Sequence, residues 1–549
     1  MEVDVLIIGG GTSGTAAGIQ SARLGVETLI IEETPWLGGM ITSAGVSAFD
    51  GNKYAVGGGI FGELRKMLED YYGGAEKTFT GWISLTCFEP KIGKKFLHRL
   101  AKNESHLTVW YESSIVEVYK EKNKVTGALI KLKNGSRVKV NCKILIESTE
   151  FGDVLQLAGI PYRLGRDAKS STGEPDAPDI ADDEIQDMTF CAILKKYETD
   201  APPVKAPDGF DFSIFKNSTS VDSDTNDENY LNHKLHNWDS FISYAALPNG
   251  KYLLNWPFRS NDYYNTCREI YEKPSSRAYH YSKAKELTLA YINYIQTTLG
   301  HPEWGLATDE FPTPDFLPFI PYVRESRRMK GVYLMVEKDV IPAEGSFRPP
   351  LLSDGIAVGD YFLDHHHSSF FKGAEKRLEE KLPHNAPFQI SYGSLIPDEV
   401  DGFIAAEKSI SVSHIVNGCS RLQPVVMLIG QAAGTAAAIS VKHNIEPRNI
   451  NIGELQNVLV KSGCQIYPYK DVYNSHPAFD AVQRLAINGL IIDEPDFEFK
   501  PEKAVTSAEA NDWINRLEID LRNEELLGLT RAGAFVKIFS SLKNIDTNR

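Results

Sequence analysis

Glycines at positions 9, 11 and 14 give the spacing G-x-G-x-x-G within GGGTSG. Where such a run follows a strand and opens a helix, the glycines permit a tight turn, bring backbone amides up to a pyrophosphate and let the helix lie close to the sheet. Glu32 stands 18 residues past Gly14, where an acid accepts hydrogen bonds from an adenosine ribose. Arg324, Arg327 and Arg328 fall within five positions, a set of planar donors suited to a carboxylate or polar substrate, or equally to structural ion pairs. His365, His366 and His367 follow Asp364. Successive side chains of an extended run point to opposite faces, so these rings do not converge on one ion and no metal site is expected. An imidazole beside an acid is instead a candidate general base or a donor to substrate.

The elements that must hold these groups are readable around them. VDVLII (3–8) is the continuous branched apolar run of a strand buried on both faces. Gly18 extends the glycine series, Ala16, Ala17 and Ala22 keep one helix face small, and Gly25 stops the helix before ETLIIE. Strand, helix, strand and acid in register predict a dinucleotide site rather than a glycine turn beside a surface glutamate. LTVWYESSIVEVYK, KVTGALIKL and SRVKVNCKILIEST, separated by EKN and KNG, read as a three-stranded meander. The stretches 166–187 and 217–229 are acidic and poor in large apolar residues, which predicts solvated loops. In SKAKELTLAYINYIQTTLG, Leu287, Tyr291, Tyr294 and Ile295 form a core stripe stopped by Gly300. In SRLQPVVMLIGQAAGTAAAIS, Pro424 stands where a helix begins, and Gly430, Ala433, Gly434 and Ala437 make a face that another backbone or a flat ring approaches closely.

A chain of 549 residues predicts two or three packed units, and 42% hydrophobic with 24% charged residues excludes a disordered or disulfide-stapled chain. The formal charge of -15 disfavours nucleic acid or an anionic membrane surface as the main partner. Six cysteines are scattered singly, with no spacing for zinc or an iron-sulfur cluster. The apolar run from Val425 to Ile439 is too short to predict a membrane span. No leader precedes the first strand-like run, which predicts a cytoplasmic protein as the sequence stands, or a periplasmic or secreted one had a leader been removed.

After the acid comes WLGGM (36–40), a second close backbone approach. With it the chain resembles two-dinucleotide-binding-domain flavoproteins that bind FAD. DEFPTPDFLPFIPYVRESRRMKG, SDGIAVGDYFLDHHH and the segment from YGSLIPDEV to GQAAGTAAA extend the resemblance, in order from residue 3 to about 440, to the bacterial FAD-dependent oxidoreductase family. The chain departs from that pattern at Glu407 and Lys408, where Arg, Ala or Gly is usual. The resemblance implies an α/β fold: a Rossmann-like FAD-binding domain from 1–165 and 390–445, an inserted β-rich α+β substrate domain over 166–389, and a small helical C-terminal domain over 446–549. It also implies FAD contacts from Gly9, Gly11, Thr12, Ser13, Gly14, Glu32 and Glu33, then from Gly38, Gly39, Met40 and Thr42. Ile115 is expected near the adenine, Thr149 and Asp153 near the cofactor, and Gln423, Val425 and Val426 near the flavin. His366, His414, Arg324, Arg328 and Arg421 are the catalytic candidates.

The activity implied is hydride transfer between flavin N5 and a small polar substrate such as a carbohydrate, polyol or hydroxy acid. Two other readings stay open: a flavin-dependent reductase of an activated double bond, and a glycan-binding or lyase protein with structural FAD. Beyond Ile445, Asp471, Val472, His476, Ala478, Leu485, Gly489, Phe499, Pro501, Thr506 and Glu509 resemble a single S-layer homology repeat, with Ser507 where a basic residue is usual. That implies a domain that docks to a partner or glycan, and a homo-oligomer is compatible with the sequence.

Overall fold

The computed structural model describes residues 1–51, 57–222, 236–257, 259–263, 268–367, 385–517 and 519–546. Cys267 and the later part of the 217–229 stretch, from 223, lie outside the described residues. Strand β1 (Glu2–Ile8), helix α1 (Thr12–Arg23) and strand β2 (Thr28–Ile31) form the opening unit. Strands β3 (Leu107–Trp110), β4 (Ser114–Glu121), β5 (Lys124–Lys131) and β6 (Arg137–Glu147) complete a sheet of order β3-β2-β1-β6-β5-β4. β1 lies parallel between β2 and β6, with Ile7 opposite Ile30 on one side and Ile146 on the other. Burial on both faces explains the unbroken apolar run, since Val5, Leu6 and Ile7 have no exposed surface.

The stretch 107–120 divides where one strand of a meander was expected. β3 joins the parallel edge beside β2, whereas β4 turns away to pair antiparallel with β5. Between them Glu112 takes a left-handed φ of 50°, and Ser113 donates its amide to the Glu32 carbonyl at 2.9 Å. The apolar alternation runs on across this bend, so periodicity alone does not mark it.

The sheet is closed by a part of the chain far away in sequence. Strand Phe403–Ala405 adds in parallel to β6, and the helix Gln423–His443 that follows lies along α1. A methyl on Gly430 would stand 2.1 Å from the Ser13 carbonyl oxygen, and one on Gly434 would stand 2.3 Å from that of Ala17. This helix is the one described element long and apolar enough to cross a membrane, and it is buried in the core. Gly434→Val is therefore expected to lower stability by about 2–3 kcal/mol through overpacking against a backbone that cannot yield. An unchanged midpoint and slope in urea denaturation would contradict this.

The intervening region carries a four-stranded sheet of Ala246–Leu247, Lys251–Leu254, Ala192–Lys196 and Trp304–Leu306, in that order. Helix Arg277–Thr297 packs beside it and buries Leu287, Tyr291, Tyr294 and Ile295. Past residue 446, helix Ile452–Lys461 still packs on the returning helix, and Gln465 donates its amide to the Gly57 carbonyl. Helices Phe479–Ile487, Ser507–Leu517 and Arg531–Asp546 then form the tail.

Candidate active site

Helix α1 begins at the glycine run, with Gly11 at its N-cap and no side-chain cap bond from it. Gly9 and Gly14 are sterically obligatory, because a methyl on Gly9 would stand 2.2 Å from the Ser148 carbonyl oxygen and one on Gly14 1.9 Å from that of Gly9. Gly11 is different: its φ is -61°, and a methyl there would meet nothing nearer than the Glu407 carboxylate at 3.3 Å. The run is tied to the 36–40 loop by Gly38, whose amide donates to the Gly10 carbonyl, and by Thr12, whose hydroxyl donates to the Gly38 carbonyl. Thr42 braces that loop through Leu37, and Met40 is buried beneath it.

A cavity of about 410 Å³ opens beside the glycine run. Its lining includes Gly9, Gly11, Glu32, Glu33 and Gly39 together with Ile115, Thr149 and Asp153. Glu32 accepts from the Gly10 amide at 2.7 Å and the Thr34 amide at 2.8 Å, and burial with Glu33 alongside pushes it up to about 8. Glu33, beside it on the cavity, is exposed. Asp153 is the first residue of a short helix whose N-cap is Gly152, and its carboxylate is held by Arg277 at 2.6 Å and Arg327 at 2.9 Å. Ser148 Oγ and Glu150 Oε1 are buried beside the cavity without a hydrogen-bond partner among the described residues. A glycine cradle, an acid at the end of β2 and unpaired polar atoms fit the adenosine and pyrophosphate of a dinucleotide.

A second polar cluster forms at the start of the returning helix. Gln423 lies seven residues before Gly430, about 10 Å along a helix axis. Its side-chain oxygen accepts from the Asp50 amide at 3.0 Å. Arg421, two residues earlier, donates to the Tyr322 hydroxyl at 2.5 Å and to Asp364 at 2.8 Å. Asp364 also faces His366 at 3.4 Å, and the other nitrogen of His366 meets Asp262 at 2.6 Å. Arg324 completes the circuit with Asp262 at 3.0 Å and Thr189 at 2.8 Å. Burial alone would raise Asp364, but His366, Arg421 and Arg324 outweigh it and hold it well below the carboxylate range. Burial and Arg324 oppose a charge on His366, yet Asp364 and Asp262 prevail and raise it. Asp50 is pushed up to about 7 by burial and by Asp364. Gln423 Nε2, Arg421 Nε and Asp50 Oδ1 are buried without partners among the described residues. Val425 and Val426 are buried in the helix's first turn, where the Val426 amide donates to the Leu422 carbonyl.

The remaining candidates fall elsewhere. His365 and His367 turn away from His366 and stack on His414, each with ring centroids 5.1 Å from it. His414 bonds Glu325 through one nitrogen at 3.1 Å and meets His367 through the other at 3.2 Å. Burial drops His365 to about 3 and drives His367 well below its ordinary value. Arg328 is enclosed with Glu325 at 3.0 Å, Asp167 at 2.6 Å and the Val412 carbonyl, in the neighbourhood of His414 rather than of Arg421. Asp50, Asp262, Arg277 and Tyr322 carry no motif spacing in the sequence, since they stand in a loop, a two-residue strand, a helix start and an isolated bridge, and only the fold brings them in. Glu89, Asp309 and Glu310 also converge, but on the ammonium of Lys251, which bonds all three.

In the tail, Asp471 accepts from the amides of Phe499 and Lys500, both at 2.7 Å. Thr506 and Glu509 cap each other reciprocally at the start of Ser507–Leu517. Arg531 reaches back to Glu509 at 2.6 Å.

A family model described as FAD dependent oxidoreductase matches residues 4–459, and one described as S-layer homology domain matches 468–510. The digeranylgeranylglycerophospholipid reductase of Thermoplasma acidophilum is 30% identical over 165 residues, which is 27% of this chain and 39% of the relative. That of Thermoplasma volcanium is 31% identical over the same shares. The chain thus spans about two-fifths of the length of these curated relatives. Among solved structures, a geranylgeranyl bacteriochlorophyll reductase-like protein from Thermoplasma acidophilum is 13% identical, with 89% of this chain and 90% of that one covered at a TM-score of 0.38.

Proposed function

The chain belongs to the FAD dependent oxidoreductase family, and we propose that it moves a hydride between the flavin and a small polar substrate seated among Arg421, Arg324, His366 and Gln423. One observation carries this reading: Gln423 Nε2, Arg421 Nε and Asp50 Oδ1 lie buried around the start of the returning helix without a partner at hydrogen-bond distance among the described residues. Unpaired polar groups in a buried site are costly, and a substrate rich in hydroxyl or carboxyl oxygens would satisfy them, as an apolar chain would not.

The residues that would hold FAD are the glycine run with Thr12 and Ser13, Glu32 and Glu33, the 38–42 loop, Ile115, Thr149 and Asp153, with Gln423 to Val426 at the flavin end. FAD supplies the redox step when bound. The protein's part is orientation and proton movement. Arg421 and Arg324, fixed by Asp364 and Asp262, present donors at set positions. His366, raised by its two carboxylates, is the proton carrier for a substrate oxygen or carbon. Enclosure of the cluster keeps water from competing for that proton.

Anaerobic titration of the purified flavoprotein with sugars, polyols and hydroxy acids tests the reading. Bleaching of the flavin by one class is expected. The same His366, whose protonated form Asp364 and Asp262 favour, also suits protonation of a carbon while an activated double bond is reduced, and the reductase names of the relatives favour that second reading. A flavin that no hydroxylated compound bleaches, but that once reduced is reoxidised by an activated alkene, would replace the first reading with the second.

The tail is read as a docking module for a cell-surface glycan or partner, on the S-layer homology match, which supports a surface-exposed or secreted location over a cytoplasmic one. Co-sedimentation with cell-wall polymer checks it, and equal sedimentation of a chain ending at residue 466 would oppose it.

A further inference from the structure

The turn after strand Phe403–Ala405 brings an acidic side chain to the start of α1. Glu407 is fully buried, with a left-handed φ of 54° that glycine adopts without strain. Its amide donates to Ser13 Oγ at 3.0 Å, and its Oε2 accepts from the Ser13 amide at 2.7 Å. The Gly11 N-cap offers no side chain, so a carboxylate from 394 residues away stands as the anion at the positive end of this helix. Lys408, also buried, bonds Glu407 at 3.1 Å and Glu150 at 2.6 Å.

The outward amides of a glycine-rich loop and helix start are the groups that receive a dinucleotide's pyrophosphate. The Ser13 amide cannot serve a carboxylate and a phosphate at once, and two anions side by side in a dry site repel strongly. We propose that the Glu407 carboxylate occupies part of the pyrophosphate seat and is displaced when FAD binds, so that Glu407 sets the affinity for cofactor while Lys408 stays to face the phosphates. The inference rests on FAD as the cofactor. Burial, against the pull of Lys408, pushes Glu407 up to about 6, as suits a charge that the site holds weakly. The left-handed backbone points the same way, because a residue strained at a ligand site is there for its side chain.

Calorimetric titration of the full-length, flavin-stripped protein decides it, with FAD, ADP and adenosine as probes and with Glu407→Gly and Glu407→Gln beside the wild type. FAD and ADP are expected to bind at least tenfold tighter to both variants, while adenosine, which carries no phosphate, changes less than twofold. The Gln variant keeps the side chain's size, so the test survives a folding defect in the Gly variant. Wild type that binds FAD no more weakly than either variant would overturn the inference and leave the cofactor assignment standing. An equal gain for adenosine would overturn it as well, and uptake of FAD by none of the three proteins would overturn both.

Discussion

Gly11→Ala yields a folded protein that has lost its flavin. The added methyl falls on extended backbone at a negative φ of -61° that any residue adopts, and it meets only the Glu407 carboxylate at 3.3 Å and the Ser148 carbonyl at 3.4 Å, tight contacts that a few tenths of an ångström of yielding relieve. Yet Gly11 lines the cavity at the point where backbone and pyrophosphate must approach most closely. A hundredfold loss of FAD affinity, about 2.7 kcal/mol, is expected, with less than 1 kcal/mol change in the urea stability of the flavin-free form. Gly14→Ala makes the contrast, since its methyl would collide with the Gly9 carbonyl and damage the loop whether or not cofactor is present. Flavin still bound to Gly11→Ala after gel filtration would contradict the assignment of this loop.

Asp364→Asn is expected to leave flavin content unchanged and to lower kcat/KM about a thousandfold, within the range for disabling a positioned acid-base group. The substitution keeps the side chain's shape but takes the counter-charge from Arg421 at 2.8 Å and from His366 at 3.4 Å. Removing one partner of a buried pair also costs about 3 kcal/mol of stability. The direction with pH follows from the signs. Asp364 lies below its unfolded value, so its stabilisation is complete above about pH 4 and is lost as pH falls through the depressed folded value. His366 lies above its own, and without Asp364 that rise shrinks, so the limb of the kcat/KM profile due to His366 moves to lower pH. An unshifted limb would remove His366 from the proton path.

Much of the cofactor domain was legible because its requirements are local. A buried parallel strand needs an unbroken apolar run, a tight turn needs Gly9, and the helix against it needs a small face, and each leaves a mark within a few residues. The polar cluster was only half legible. Arg324, His366 and Arg421 announce themselves by type, but Asp262 and Tyr322 become partners only through the packing of the intervening region. The histidine run shows both outcomes: alternation correctly separated His366 from its two neighbours, whereas their stacking on His414 depends on a helix 47 residues later. Glu407 was visible as a departure from the family pattern, and its bond to Ser13 was not, because no rule of spacing reaches across 394 residues.

The late return of the chain to its first sheet also fixes an order of assembly. During synthesis β1, α1 and β2 leave the ribosome hundreds of residues before Phe403–Ala405 and the helix that covers α1. Until then the far flank of β6 lacks its parallel neighbour and the Ser13 and Ala17 face of α1 has no cover, an aggregation-prone state in a slow, non-local topology. Nascent chains stopped short of residue 443 should depend on chaperones, and cofactor capture should come as the closing event of folding.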